Sequence, residues 1–187
     1  MNRTSGRRSR YSDKNVYKKI SVCFVACNYF RPKRRLSAPM KYEVYTEIEV
    51  TEDFGIFDFI STGKNGEVQK RVAFTKTEQD KVYNLALGDV DEDNEINDYA
   101  VTDNGDRNKV IATVAAIVEA YTKRFPDRWI IFRGSTVERT RLYRIAVSLH
   151  LDELSDQYEI KAYVDDEVVS FVKDMKINAF LIKRKKS

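Results

Sequence analysis

The chain predicts an α+β fold, an antiparallel β-meander packed with two amphipathic helices. Three observations carry this. Apolar and polar residues alternate through most of residues 42–102, the period of half-covered strands. Two later stretches, Val110 to Tyr121 and Leu142 to Leu149, repeat at the spacing of a helix with one apolar stripe. Alternation returns at Tyr158, so the order is strands, helix, strand, helix, strands.

These patterns begin at Met40. Residues 1–39 hold eleven of the 33 Lys and Arg and one of the 29 Asp and Glu. That gives +10 before the break and 22 − 28 = −6 after it, so the overall +4 describes neither part. Both cysteines, Cys23 and Cys27, also precede the break. The expected division is a basic extension over residues 1–39, disordered or lying upstream of the natural start, and one domain over residues 40–187. A cysteine-free domain with a single histidine is expected in the cytoplasm, because small secreted folds lean on disulfides. No apolar run approaches the ~18 residues of a membrane span.

Within the domain, Tyr42 to Val50 predicts a strand with Val44, Ile48 and Val50 on one face. Phe54 to Ile60 predicts a second, closed by the glycine-bearing turn at Gly63 to Gly66. Val68, Val72 and Phe74 mark a third and Val82 to Leu87 a fourth, with a fifth expected around Tyr99 to Thr102. Asp106 is placed to cap a helix whose stripe is Val110, Val114, Ile117 and Tyr121, and Pro126 follows its end. Trp129 to Phe132 reads as a short apolar strand, with Trp129 and Ile131 expected in the main core. A second helix is expected from about Thr136 to Asp152, opened by the capping-box pair Ser135 and Glu138 and buried through Leu142, Ile145, Ala146 and Leu149. Strands at Tyr158 to Val164, Val168 to Val172 and Ala179 to Ile182 complete the domain.

The chemistry-bearing residues exclude more than they assign. Asp89, Asp91, Asp93 and Glu95 have the opening spacing of a calcium loop, but Asn94 replaces the bend glycine and Ala100 the closing glutamate, so a solvated acidic turn is expected. With His150 alone and the cysteines outside the domain, no metal site is predicted. His150, near the end of the second helix, reads as a structural histidine. One place remains as a candidate ligand site on the residues themselves: the helix start at Arg133, Gly134, Ser135 and Thr136 with Arg139, Arg141 and Arg144 nearby, where free N–H groups and the helix dipole favour an anion. The domain's −6 opposes nucleic acid, which leaves only residues 1–39 to hold it.

Gly88-Asp89-Val90-Asp91, Val101 to Asp106, and above all Trp129 through Tyr143, with Ala179 to Lys185, resemble an uncharacterised family of bacterial domains, a domain of unknown function of about 150 residues, the size of one ordinary domain. The likeness covers Met40 to Lys186 and implies no activity. The order of elements is also similar to that of the GNAT acetyltransferases, and the run from Ser135 to Leu142-Tyr143 loosely matches their second helix. That resemblance implies acyl-coenzyme A as cofactor and Tyr143 as the general acid, with the Asn104-Gly105 turn near the coenzyme. Asp103 and Asp106 depart from the family's phosphate loop, and their charge would repel the coenzyme.

The expected function is therefore a binding or interaction module with a protein partner, no cofactor and no clear catalytic apparatus. An acyltransferase-like enzyme and nucleic-acid binding through residues 1–39 are the alternatives.

Overall fold

The computed structural model describes residues 17–21, 42–97, 100 and 102–186. Among these residues, ten strands form one sheet: β1 (Tyr17–Ser21), β2 (Glu47–Thr51), β3 (Ile56–Gly63), β4 (Gly66–Lys76), β5 (Val82–Val90), β6 (Ile96–Asn97), β7 (Trp129–Phe132), β8 (Tyr158–Val164), β9 (Glu167–Ser170) and β10 (Ala179–Arg184). Three helices accompany them among the described residues: α1 (Arg107–Arg124), α2 (Val137–Leu149) and α3 (Leu151–Gln157). The fold is α+β, as the patterns predict.

Nine strands lie in the order β1-β2-β3-β4-β5-β7-β10-β8-β9, and β6 folds back on β5. Every pair is antiparallel except β5 with β7, joined in parallel through Val82↔Trp129, Tyr83↔Ile130 and Asn84↔Ile131. That parallel pair needs a crossover, and α1 supplies it. Beyond Asn84 the same edge of β5 turns to β6, at Asp89↔Asn97 and Val90↔Ile96.

The helices lie on the same face of the sheet. Beneath α1, Ile48, Val50, Phe57, Phe59, Val72, Phe74 and Ile130 close a core with Ala116, Ile117 and Tyr121. Tyr121 stacks on Phe74 at 3.7 Å between ring centroids, and its hydroxyl accepts from Arg128 at 2.7 Å. Thr113 and Thr122 are fully buried although polar, because each hydroxyl donates back to a helix carbonyl, at Lys109 and Val118. Thr113 also accepts from the Tyr45 N–H, which docks the approach to β2 on the helix. A second core beneath α2 and α3 gathers Ala162, Phe171 and Phe180 with Phe132, Tyr143, Val147 and Leu151.

One-sided cover corrects three expectations. In β7 the fully buried residue is Ile130, whereas Trp129 and Ile131 point to the other face and are half-buried, with Lys161 and Lys183 lying over the Trp129 ring. Leu142 is likewise half-buried. On α2 the packed residues are Tyr143 and Val147, and no residue of this helix is fully buried; Ile145 and Leu149 face outward.

Local differences also have physical causes. The second helix breaks at His150, which ends α2 and begins α3, with Nδ1 3.6 Å from the Glu153 carboxylate. Its N-cap is Thr136 rather than Ser135, and the Thr136 hydroxyl accepts from the Arg139 N–H. Asp106 stands at the N-cap of α1 without bonding the helix, because its carboxylate is engaged by the sheet. The strand after the acidic turn is Ile96–Asn97, while Tyr99 and Val101 lie outside the described residues. The acidic turn is anchored rather than merely solvated. Buried Arg71 forks onto Asp58 at 2.8 and 2.7 Å and then holds Asn94 through its carbonyl and side-chain oxygens. Of residues 1–39, Tyr17–Ser21 is described, as the edge strand β1; the remainder of the basic extension lies outside the described residues.

Candidate functional site

Asn104 sits at the end of the β3–β4 hairpin and is 5% exposed. Its amide nitrogen donates to Ser61 Oγ at 3.0 Å and to the Gly66 carbonyl at 3.1 Å, and its oxygen accepts from the Asn65 N–H at 2.9 Å. A Cβ at Gly63 would lie 2.0 Å from the Asn104 carbonyl oxygen, so only glycine allows this approach. Beside it, Asp106 Oδ2 accepts from Ser61 Oγ at 2.6 Å and from the Tyr45 hydroxyl at 2.7 Å. Burial pushes the Asp106 carboxyl up, but the two hydroxyl bonds outweigh it and hold the group below its ordinary value. A third group adjoins these: Lys70 and Thr102 both bond the Asp89 carboxylate, and Lys70 Nζ also donates to Thr102 at 3.0 Å. Gly105 has φ +81° and open space where a side chain would stand. The Asn104 and Asp106 side chains thus tie the hairpin to the start of α1.

The second predicted place is also inwardly satisfied. A Cβ at Gly134 would lie 2.3 Å from the Thr140 nitrogen, and the Gly134 N–H donates to Thr140 Oγ1 at 3.0 Å. Arg139 reaches Ser135 Oγ at 2.8 Å and the Ala100 carbonyl at 2.6 Å. Glu138 folds back on its own N–H, and that bond together with Thr136 lowers its carboxyl. The arrangement brings Ser135, Thr136 and Arg139 together, and Arg139 ties them to the Ala100 carbonyl. Arg133 remains exposed. Tyr143 points the other way, its ring 6.2 Å edge-on to Phe132 in the second core.

Arg141 belongs to a different surface. Val137, Arg141, Ile145 and Leu149 recur every four residues and form one stripe on the outer side of α2. Val137 is 82%, Ile145 43% and Leu149 68% exposed, and Val172 on the facing turn is 63% exposed. Between helix and turn lies a groove of about 470 Å³, lined by Arg141, Arg144, Ile145, Ser148, Leu149, Lys173 and Asp174. Three cations against one carboxylate give it a local excess of +2 within a domain whose formal charge is −6. Arg144 is oriented by a 3.3 Å bond to the Met175 carbonyl. Ser148 Oγ is buried in the groove wall and makes no hydrogen bond.

Of this surface, sequence reasoning reached Arg141 and noted Arg144 beside it, both as neighbours of the helix start. Lys173 and Ser148 were missed, and Ile145 and Leu149 were assigned to the core. The four-residue recurrence of an arginine within the apolar stripe was the available signal, since a helix face turned into its own core seldom carries an unpaired cation.

Among the described residues, no group of three or more His, Cys, Asp or Glu side chains is placed to hold a metal ion, and no helix is long and apolar enough to cross a membrane. No curated protein and no solved structure matches the chain. A family model described as "Family of unknown function (DUF6934)" matches residues 41–185, from just before β2 to the end of β10. By that match the chain belongs to this family of unknown function.

Proposed function

We propose that the domain is an intracellular, non-catalytic interaction module that docks an acidic, apolar-bearing segment of a protein partner along the outer side of α2. One observation carries the reading: Ile145, Leu149 and Val172 are open to solvent beside a groove edged by Arg141, Arg144 and Lys173. Apolar side chains bordered by cations suit an amphipathic partner whose apolar positions enter the groove while carboxylates meet the rim. The polar groups at Asn104 and Asp106 support a non-catalytic reading, since their hydrogen bonds fasten the hairpin to α1.

The test uses the full chain and a fluorescein-labelled peptide of about 20 residues, long enough to form a helix, with Leu at helical spacing among Glu. A counterpart carries Lys for every Glu. The Glu peptide is expected to bind, the Lys peptide not, and Arg141→Glu with Lys173→Glu to weaken binding by about tenfold or more. Equal binding of the two peptides, or a double variant that binds as the wild type does, contradicts the proposal.

A further inference from the structure

We infer that the outer edge of β2 is a strand-acceptor site whose occupant is the chain's own Tyr17–Ser21 segment, seated in cis and exchangeable. β2 is bound unequally on its two sides. Toward β3 its register contains two pairs, Glu49↔Asp58 and Val50↔Phe57, whereas β1 pairs along all five residues from Tyr17↔Thr51 to Ser21↔Glu47. A strand edge presents free N–H and C=O groups that template another extended segment, and here β1 fills that role at the end of the sheet.

The occupant comes from outside the stretch that defines the family. The match begins at residue 41, while β1 ends at Ser21. Between Ser21 and Glu47 lie residues 22–46, 46 − 21 = 25 residues. Hairpin loops of two to five residues force their strands together, but a connection of this length does not. The pairing is therefore not imposed by a tight turn, and another extended segment can replace the strand.

Charge defines what the edge accepts. Glu47 and Glu49 are exposed on β2, and the register sets Lys19 opposite Glu49. The same register sets Ile20 opposite Ile48, which is fully buried under α1. The acceptor therefore suits an extended segment with lysine and an apolar residue at neighbouring positions, the pattern Lys18-Lys19-Ile20. This inference does not depend on the groove at α2.

The experiment places Lys18→Pro and Lys19→Pro together in the full chain, which removes two successive N–H donors, so that at least one lost donor faced β2. Amide exchange over Glu47 to Thr51 is followed with and without a labelled peptide of residues 14–24. Exchange there is expected to rise about tenfold or more in the variant and to return toward wild type when the peptide is added, with the peptide binding the wild type about tenfold or more weakly because β1 competes for the edge. Unchanged exchange, a peptide that does not bind the variant, or a wild-type dimer exchanging β1 between copies overturns the assignment. Should the proline variant not fold, Lys19→Glu is read in the same way. It should speed exchange, Glu49→Lys added to it should restore protection, and equal exchange in all three proteins overturns the inference.

Discussion

Helices α1 and α2 lie on the same face of one sheet and carry apolar stripes of the same kind, yet they end differently. α1 buries Thr113, Ala116, Ile117, Glu119, Tyr121 and Thr122, while α2 buries none of its residues fully. α1 lies over an aromatic floor of Phe57, Phe59 and Phe74, supplied by two long strands. α2 lies over the narrower end of the sheet, where Tyr143 and Val147 suffice to meet Phe132, Phe171 and Phe180. Its outer apolar residues Val137, Ile145 and Leu149 stay exposed. A helical period thus identifies a face, but the width of the sheet beneath decides whether the same chain covers it.

The largest expected effect tests the covered helix. Ile117 is fully buried, so Ile117→Ala should cost about 2 to 5 kcal/mol in denaturant unfolding, through lost transfer energy and the cavity left behind. A cost below about 0.5 kcal/mol, the scale of a surface substitution, would remove the contrast with α2.

A smaller effect is expected where α1 begins. Asp106→Asn keeps the shape but replaces an ionised acceptor, and should cost about 1 to 3 kcal/mol at neutral pH. Because the folded-state carboxyl lies below its ordinary 3.8, the stabilisation is full above that value and is lost as pH falls through the lowered one. The stability gap between wild type and variant should stay constant from pH 7 to about 5 and shrink below about 4. A gap that widens in acid would reverse the assigned sign.

The smallest effect belongs to the inner side of α2. Tyr143 contributes its ring to the second core, so Tyr143→Phe should cost about 1 kcal/mol or less in the same unfolding measurement. A loss above about 3 kcal/mol would make its hydroxyl part of a buried network, and α2 a more tightly held helix than the comparison allows.

The parts legible in the sequence were those set by local pattern. Strand alternation, the stripe of α1 and the breaks at Gly63, Gly66 and Pro126 lie within short windows, and β3, β4, β5, α1, β7, β8 and β10 form close to where they predict. Faces were harder to read. Both Ile130 and Ile131 are apolar, and which of them is buried depends on α1 and α2 sharing one side of the sheet, a long-range fact. The polar groups were hidden for the same reason: Ser61 and Tyr45 meet Asp106 across 45 and 61 residues, and Arg71 meets Asn94 across 23. In the candidate sites, Gly134 was visible as turn chemistry, whereas the cap lies one residue beyond Ser135, at Thr136. Lys173 could join Arg141 and Arg144 only once the turn after β9 had been placed beside α2.

The contrast between the two helices is tested most directly by unfolding the full chain with Ile145→Ser and Leu149→Ser combined. If that stripe is an interaction surface, the double substitution should change unfolding free energy by less than about 0.5 kcal/mol while abolishing binding of the Glu-Leu peptide. A loss of about 2 kcal/mol or more, with peptide binding unchanged, would mean that these residues belong to the core and that α2 offers no docking face.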